Sequence, residues 1–341
     1  MMRAGACIRN ANRKYQLVLH ETTTMTEVAT IDVLNSPQEG RNGIVIDGLE
    51  KGAIHLCSGF AGLYHLPSEV QIESANQQEG AYIGKWPRIK ERKGQLTFAT
   101  VGTSHDDWEV MESLLWTVLS TKWTCTLRVF DADPTRGYRD LTSFQLSMSP
   151  ADAPTYDLGM RSHAIHRIDY VASDPFYYTP ELVTSISRRD MVLNNATGFY
   201  EGFLDVENPT DWHNFLQYQQ EPAAVAEQWE ITDAVNRPRD DFFYDPAELT
   251  LGKKILLPEM PAGATFNIDT SPSAKRLWIE TTLDQQVPAM IPGLQPENAL
   301  PPWLTEPVRL PVRLKGGTPD STLYCMVPQR WQRYAGGQKV I

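Results

Sequence analysis

"VASDPFYYTP", residues 171–180, decides how this chain is divided. The residues before it alternate. In "SHAIHRIDYVASDPF", His163, Ile165, Arg167 and Asp169 fall on one face and Ala164, His166, Ile168 and Tyr170 on the other, which is a strand period. Pro175 fixes its φ and has no N–H to give a ladder, so the strand ends there. Asp174 is a turn residue whose carboxylate accepts from nearby backbone amides. Phe176, Tyr177 and Tyr178 then offer a large contact area to whatever lies beneath them. The stretch predicts a joint, Asp174, Pro175, Phe176, Tyr177 and Tyr178, between a domain at 1–186 and a domain at 187–341. The segment "TPELVTSISRRD" reads as a short linker after it.

Working outward, most of the chain reads as strands. "KYQLVLHET" alternates Tyr15, Leu17 and Leu19 against polar neighbours, and "ATIDVLNS" and "GIVIDGLEKG" follow, each closed by turn formers. Residues 69–102 read as a long projecting hairpin around a Gly, Lys and Arg-rich excursion, the kind of arm by which one subunit grips another. One helix is predicted over about 104–122. Ser104 and Asp107 form a capping pattern, and Trp108, Met111, Leu115 and Val118 recur at helical spacing. Glu109 and Glu112 near its start read as complements to the helix dipole, and Lys122 suits its end. The second half is a series of short, turn-separated strands, with the chain's 24 prolines marking edges and loops. Together these predict a mainly β protein: a barrel-like first domain with one helix and an arm, then a β-sandwich.

Composition narrows the function. The formal net charge is −11 over 341 residues, spread almost evenly as −5 over 1–186 and −6 over 187–341. With no basic half, specific nucleic-acid binding and attachment to an anionic membrane are both disfavoured. The opening "MMRAGACIRNANRKY" has no apolar core of a secretory signal, and no run of eighteen apolar residues predicts a spanning helix. Cys7, Cys57, Cys125 and Cys325 lie far apart with no C-x-x-C pair, and read as reduced, mostly buried thiols.

Candidate chemical sites are few. In "FDADPTRGYRD", Asp131 and Asp133 sit two apart, but a calcium loop needs a glutamate where Thr142 stands, so a β-turn is the reading. His163 and His166, three apart on a strand, point to opposite faces and cannot share a metal. No G-x-S-x-G, H-E-x-x-H or P-loop pattern occurs, so no enzyme activity, catalytic residue, metal or cofactor is expected. "NAT" at Asn195 is a sequon without meaning unless the chain is secreted. The one basic run, "KWPRIKERK", sets Lys85, Trp86, Arg88, Lys90, Arg92 and Lys93 as candidate interface residues on a solvated hairpin tip or against an acidic neighbour. Trp212 beside His213 is the candidate glycan-binding pair.

The order of these features resembles the distal tail (minor tail) proteins of long-tailed, non-contractile phages. The matching points in the first half are the arm around Gly94, the helix, "TLRVF", the turn with Arg136 and Gly137, "RDLTSFQL" and the "ASDPFYY" ending. In the second half, "FLDVENPTDWHNFLQYQ", "WEITD" and "LTLGKKILLPEMPAGATFNIDTSP" resemble the family's galectin-like domain. "NPTDW" replaces the usual glycine-containing opening, and "PAGATFNIDT" lacks the usual Gly-Glu pair. The resemblance implies a structural virion protein, made in the host bacterial cytoplasm and placed at the tail tip. It implies a hexameric ring that joins the tail tube to baseplate or tail-tip proteins and lets DNA pass. The implied partners are copies of itself, the tail tube protein, the tape measure protein, the tail hub and other minor tail proteins. It implies no cofactor, no membrane insertion and no specific nucleic-acid binding. The alternative is a carbohydrate-binding adhesin module that contacts the host surface.

Overall fold

Strands carry nearly all the regular structure of this computed structural model. It describes residues 15–20, 27–35, 53–57, 61–73, 82–83, 87–131, 137–147, 162–222, 224–236, 249–271, 279–282 and 298–338. The expectations for Cys7, Lys85, Trp86, Asp133 and Arg136 lie outside these residues. The chain divides into two compact units: Met1–Thr179 with Gln332–Gly336, and Pro180–Trp331 with Gly337–Ile341.

The first unit holds β1 (Tyr15–His20), β2 (Glu27–Asn35), β3 (Ala53–Leu56), four two-residue strands β4 (Ser68–Glu69), β5 (Ile72–Glu73), β6 (Tyr82–Ile83) and β7 (Arg88–Ile89), then β8 (Arg92–Val101), α1 (His105–Val118), β9 (Cys125–Phe130), β10 (Tyr138–Leu146) and β11 (His163–Ala172). The sheet order is β11-β8-β3-β2-β1-β9-β10, and β10 pairs back onto β11. Seven strands therefore close into a barrel, which leaves no free sheet edge. All its pairings are antiparallel except β2 with β3. Leu96, Phe98, Leu127, Leu141, Phe144 and Ile168 are among its buried side chains.

The arm is shorter than the sequence suggests. β4 pairs with β7 and β5 with β6, so the hairpin spans 68–89. Residues 92–101 are instead a barrel strand, paired along its whole length with β11. Gly94 is not at an arm tip but in a close crossing, where a Cβ would land on the Ala61 carbonyl oxygen and 2.8 Å from the Tyr170 hydroxyl. Gly62 opposite it sits at φ +84°, a left-handed conformation that favours glycine.

The helix starts as expected and ends early. Ser104 caps it by accepting from the Asp107 N–H at 3.2 Å, while Asp107 Oδ2 accepts from Thr103 N at 2.9 Å. Leu119 turns extended and stops it, so Lys122 lies beyond the last turn.

The second unit begins within β12 (Tyr177–Ser187), which runs through the boundary at Thr179. The segment expected to be a linker is thus a strand. Its alternation packs Leu182 and Ile186 against the second unit's core, and Pro180 near its start is tolerated there. The unit continues with β13 (Val192–Asn194), β14 (Phe199–Asn208), β15 (Gln217–Gln220), β16 (Glu227–Thr232), β17 (Val235–Asn236), β18 (Thr250–Leu251), β19 (Lys254–Leu256), β20 (Phe266–Asp269), β21 (Ile279–Thr281), β22 (Leu304–Gly316) and β23 (Thr322–Trp331). One sheet runs β12-β23-β15-β20-β21 and the other β13-β14-β22-β16-β19. One continuous core joins their facing sides: Leu204, Val206, Tyr218, Trp229, Ile231, Phe266, Ile268, Leu310, Val312, Leu314, Leu323 and Val327. This two-layer burial makes the unit a β-sandwich.

The five residues Gln332–Gly336 return to the first unit after β23. Nothing in their local sequence announces that return. Cys125 and Cys325 are buried and Cys57 half-buried, all three as free thiols. No helix among the described residues is long and apolar enough to cross a membrane.

Candidate functional site

The joint residues gather around a side chain that sequence reasoning put elsewhere. Arg92 was expected on an exposed basic face, but it is fully buried. Its neighbours on alternate positions of β8, Gly94, Leu96 and Phe98, already face inward, and the strand period carries Arg92 with them. Its Nε and Nη2 donate to the Pro175 carbonyl at 2.9 and 2.8 Å. Nη1 donates to the carbonyls of Gly62, Leu63 and His65 at 3.0, 2.7 and 2.8 Å, and Nη2 also reaches Gln332 O at 3.0 Å. The guanidinium lies 4.9 Å from the centre of the Tyr177 ring, and Tyr177 Oη donates to Leu63 O at 2.9 Å. Burial pulls the Arg92 pKa down, but arginine starts so high that it stays charged. Carbonyl dipoles, not a carboxylate, solvate this cation.

The turn itself is fixed by Asp174. Its N–H donates to Ser143 Oγ at 2.8 Å, its Oδ1 accepts from Phe176 N at 3.2 Å, and its Oδ2 accepts from Tyr178 Oη at 2.6 Å. Phe176 and Tyr177 are buried. Arg139 completes the knot by donating to Arg333 O at 2.5 Å and Gly336 O at 2.7 Å, and Tyr334 stacks edge-on to Tyr64 and Tyr177. The arrangement is a structural tie within the first unit. Its polar groups are engaged with backbone carbonyls and amides or with one another.

Of the remaining basic run, Arg88, Lys90 and Lys93 are exposed. Lys90 pairs with Glu69 at 2.5 Å and Lys93 with Glu91 at 2.6 Å, both in open solvent, where such pairs are weak and exchangeable.

Glu112 is not a dipole complement. Its carboxylate accepts from Thr100 Oγ1 at 2.6 Å and Trp116 Nε1 at 2.7 Å, and His166 Nε2 lies 2.7 Å away. Trp108 Nε1 in turn donates to Thr100 Oγ1 at 3.1 Å. Burial raises the Glu112 pKa, but the His166, Thr100 and Trp116 contacts outweigh it, and the net shift is downward. The group fastens α1 to β8 and β11. Asp131 N–H donates to Gly137 O at 3.0 Å across the expected turn.

In the second unit the glycan candidates sit in a locked loop, 208–214. Asn208 is fully buried. Its Nδ2 donates to the carbonyls of Trp212 (2.8 Å), Pro301 (2.8 Å) and Leu300 (3.3 Å). Its Oδ1 accepts from Thr210 Oγ1, Asn214 Nδ2 and Thr210 N. Trp212 is only 9% exposed, and its ring lies against His213 at 4.8 Å. The His213 carbonyl takes a hydrogen bond from Arg330 Nη2 at 2.5 Å. A sugar platform needs an open aromatic face, and Trp212 presents none.

Glu227 is a buried carboxyl to which the sequence gives no role. It is 1% exposed and accepts from Trp229 Nε1 at 3.0 Å and from Gln220 Nε2. No lysine or arginine pairs with it among the described residues, and burial raises its pKa. The sign of the linkage follows. The folded state prefers the protonated form, so the stabilisation is full below the ordinary glutamate pKa of about 4.3 and is lost as pH rises through the raised value. Glu227→Gln is expected to flatten that loss, as followed by denaturant unfolding at a series of pH values. A wild-type stability that rises with pH over the same range, unaltered by the substitution, would contradict it.

No group of three or more metal-ligating side chains occurs among the described residues. No protein-family model matches the chain, and no curated protein does. Among solved structures it is similar to the SPP1 Dit protein, described as a paradigm of the hub adsorption apparatus in Gram-positive infecting phages. That likeness has 12% identity over 80% of this chain and 92% of the other, with a TM-score of 0.47. It is also similar to a chain of the phage p2 baseplate in its activated conformation with strontium (11% identity, 93% and 98% covered, TM-score 0.47) and with calcium (12%, 93% and 98%, TM-score 0.44).

Proposed function

We propose that this chain is a structural subunit of a phage tail tip. Its first unit forms a hexameric ring that joins the tail tube to the tail-tip proteins and lets DNA pass. Its second unit is a galectin-like sandwich on which other tail-tip proteins dock. The observation that carries the reading is the surface of the first unit. The barrel has closed its edges, yet large apolar side chains stay in solvent on the hairpin and on α1: Val70, Ile72, Val110 and Leu114. An assembly subunit keeps such surface for its neighbours.

Two further features support it. The buried Arg92, Asn208 and Glu227 and the half-buried Glu112 are all engaged in holding strands, loops and the helix, which is the economy of a scaffold rather than of a reactive cleft. The acidic balance of the whole chain suits a channel through which DNA slides without sticking. Native mass spectrometry of the full chain, alone and with tube protein, tests the ring. Six-fold assemblies are expected. Monomers at every concentration, with tube protein present, would overturn the reading.

A further inference from the structure

Residues 332–336 follow the second unit's last strand and belong to the first unit, far along the chain from what they touch there. Gln332 O accepts from Arg92 Nη2 at 3.0 Å, and Arg333 O and Gly336 O accept from Arg139 at 2.5 and 2.7 Å. The Tyr334 ring stands edge-on to Tyr64 and Tyr177. Both arginines are buried. One short segment thus supplies three of the acceptors that solvate two buried cations, and hydrogen bonds to charged donors are the costly ones to lose.

The contacts to the two arginines all come from main-chain carbonyls, so backbone conformation sets them. At the end of the segment Gly336 and Gly337 lie at φ +74° and +88°. A Cβ on Gly336 would meet nothing within 4 Å, so the left-handed backbone alone asks for glycine there. β23 leads directly into the segment and is a sheet neighbour of β12, whose first residue is Tyr177.

We propose that residues 332–336 are a closing strap that completes the first unit only after the second has formed. Residues 1–179 are synthesised first, yet the solvation of Arg92 and Arg139 waits for a segment that follows β23. Until the strap arrives, the Arg92 knot and the start of β12 stay open to water, because a buried donor without its acceptor costs more than a hydrated one. The use of the delay rests on the assembly reading above: a chain stopped short of residue 336 has no finished first unit to offer its neighbours.

The test is hydrogen exchange of the full-length chain, read peptide by peptide in dilute denaturant. In the wild type, residues 332–336 and the knot peptides holding 61–65, 138–141 and 174–178 are expected to open in one transition, apart from β16 and β22. Gly336→Val with Tyr334→Ala releases the strap, so exchange in the knot peptides rises about tenfold or more while β16 and β22 keep their rates. Gly336→Asn is expected to match the wild type, because asparagine tolerates positive φ and valine does not. A strap that opens with the knot peptides unmoved would overturn the proposal, and so would equal acceleration in both units. Wild-type monomers in native mass spectrometry would overturn the assembly reading alone and leave the exchange result to decide the strap.

Discussion

Arg92→Met is expected to cost the first unit roughly 4 kcal/mol, enough to leave it largely unfolded under conditions where the wild type is stable. The substitution keeps the stem and removes every donor. Five backbone carbonyls, those of Gly62, Leu63, His65, Pro175 and Gln332, then lose a hydrogen bond in a buried site. Each buried acceptor left without a partner costs about 1–3 kcal/mol, partly relieved where water enters. Arg92→Lys helps little. An ammonium has three donors on a flexible stem and cannot reproduce the planar fork that reaches Pro175 twice. Denaturant unfolding followed by near-UV circular dichroism reads the loss, and hydrogen exchange assigns it to the first unit. A cost under about 1 kcal/mol would mean that water replaces the guanidinium and that the knot holds nothing.

Asn208→Asp is the corresponding expectation for the second unit. The change is isosteric but turns a donor of three hydrogen bonds into an acceptor facing the Trp212, Leu300 and Pro301 carbonyls. A buried charge then meets three oxygens with no cation beside it, at a cost of about 4 kcal/mol or more. Protonation returns one donor, so the variant gains stability as pH falls below the raised carboxyl pKa, whereas Asn208→Leu is destabilised with no such pH dependence. Thermal unfolding at several pH values separates the two. Equal stability of Asn208→Asp and wild type at neutral pH would contradict the geometry of the loop.

These two residues also mark where the sequence is legible. The alternation of β11, the turn at Asp174–Pro175 and the cap at Ser104 are local patterns, and each forms the element its residues predict. The mainly β character follows from the same kind of signal. By charge alone the basic run points Arg92 to solvent, while the period of β8 assigns it inward with Gly94, Leu96 and Phe98. Glu112 shows the same limit of a local signal. Its position near the helix start suggested a dipole role, but its partners Thr100 and His166 come from two strands. The strand within "TPELVTSISRRD" was hidden by Pro180, although Leu182 and Ile186 lie four apart on its inward side. The return of Gln332–Gly336 to the first unit had no local signal at all. It depends on Arg92 and Arg139, far away in sequence, offering donors to bare carbonyls.

Locating the chain in an assembled particle tests the central claim most directly. A cryo-electron density map of intact virions, with this chain carrying a compact C-terminal tag, is expected to show six copies around the axis where the tube meets the tail tip. Density for a single isolated copy, or a tag found away from the tail, would contradict it.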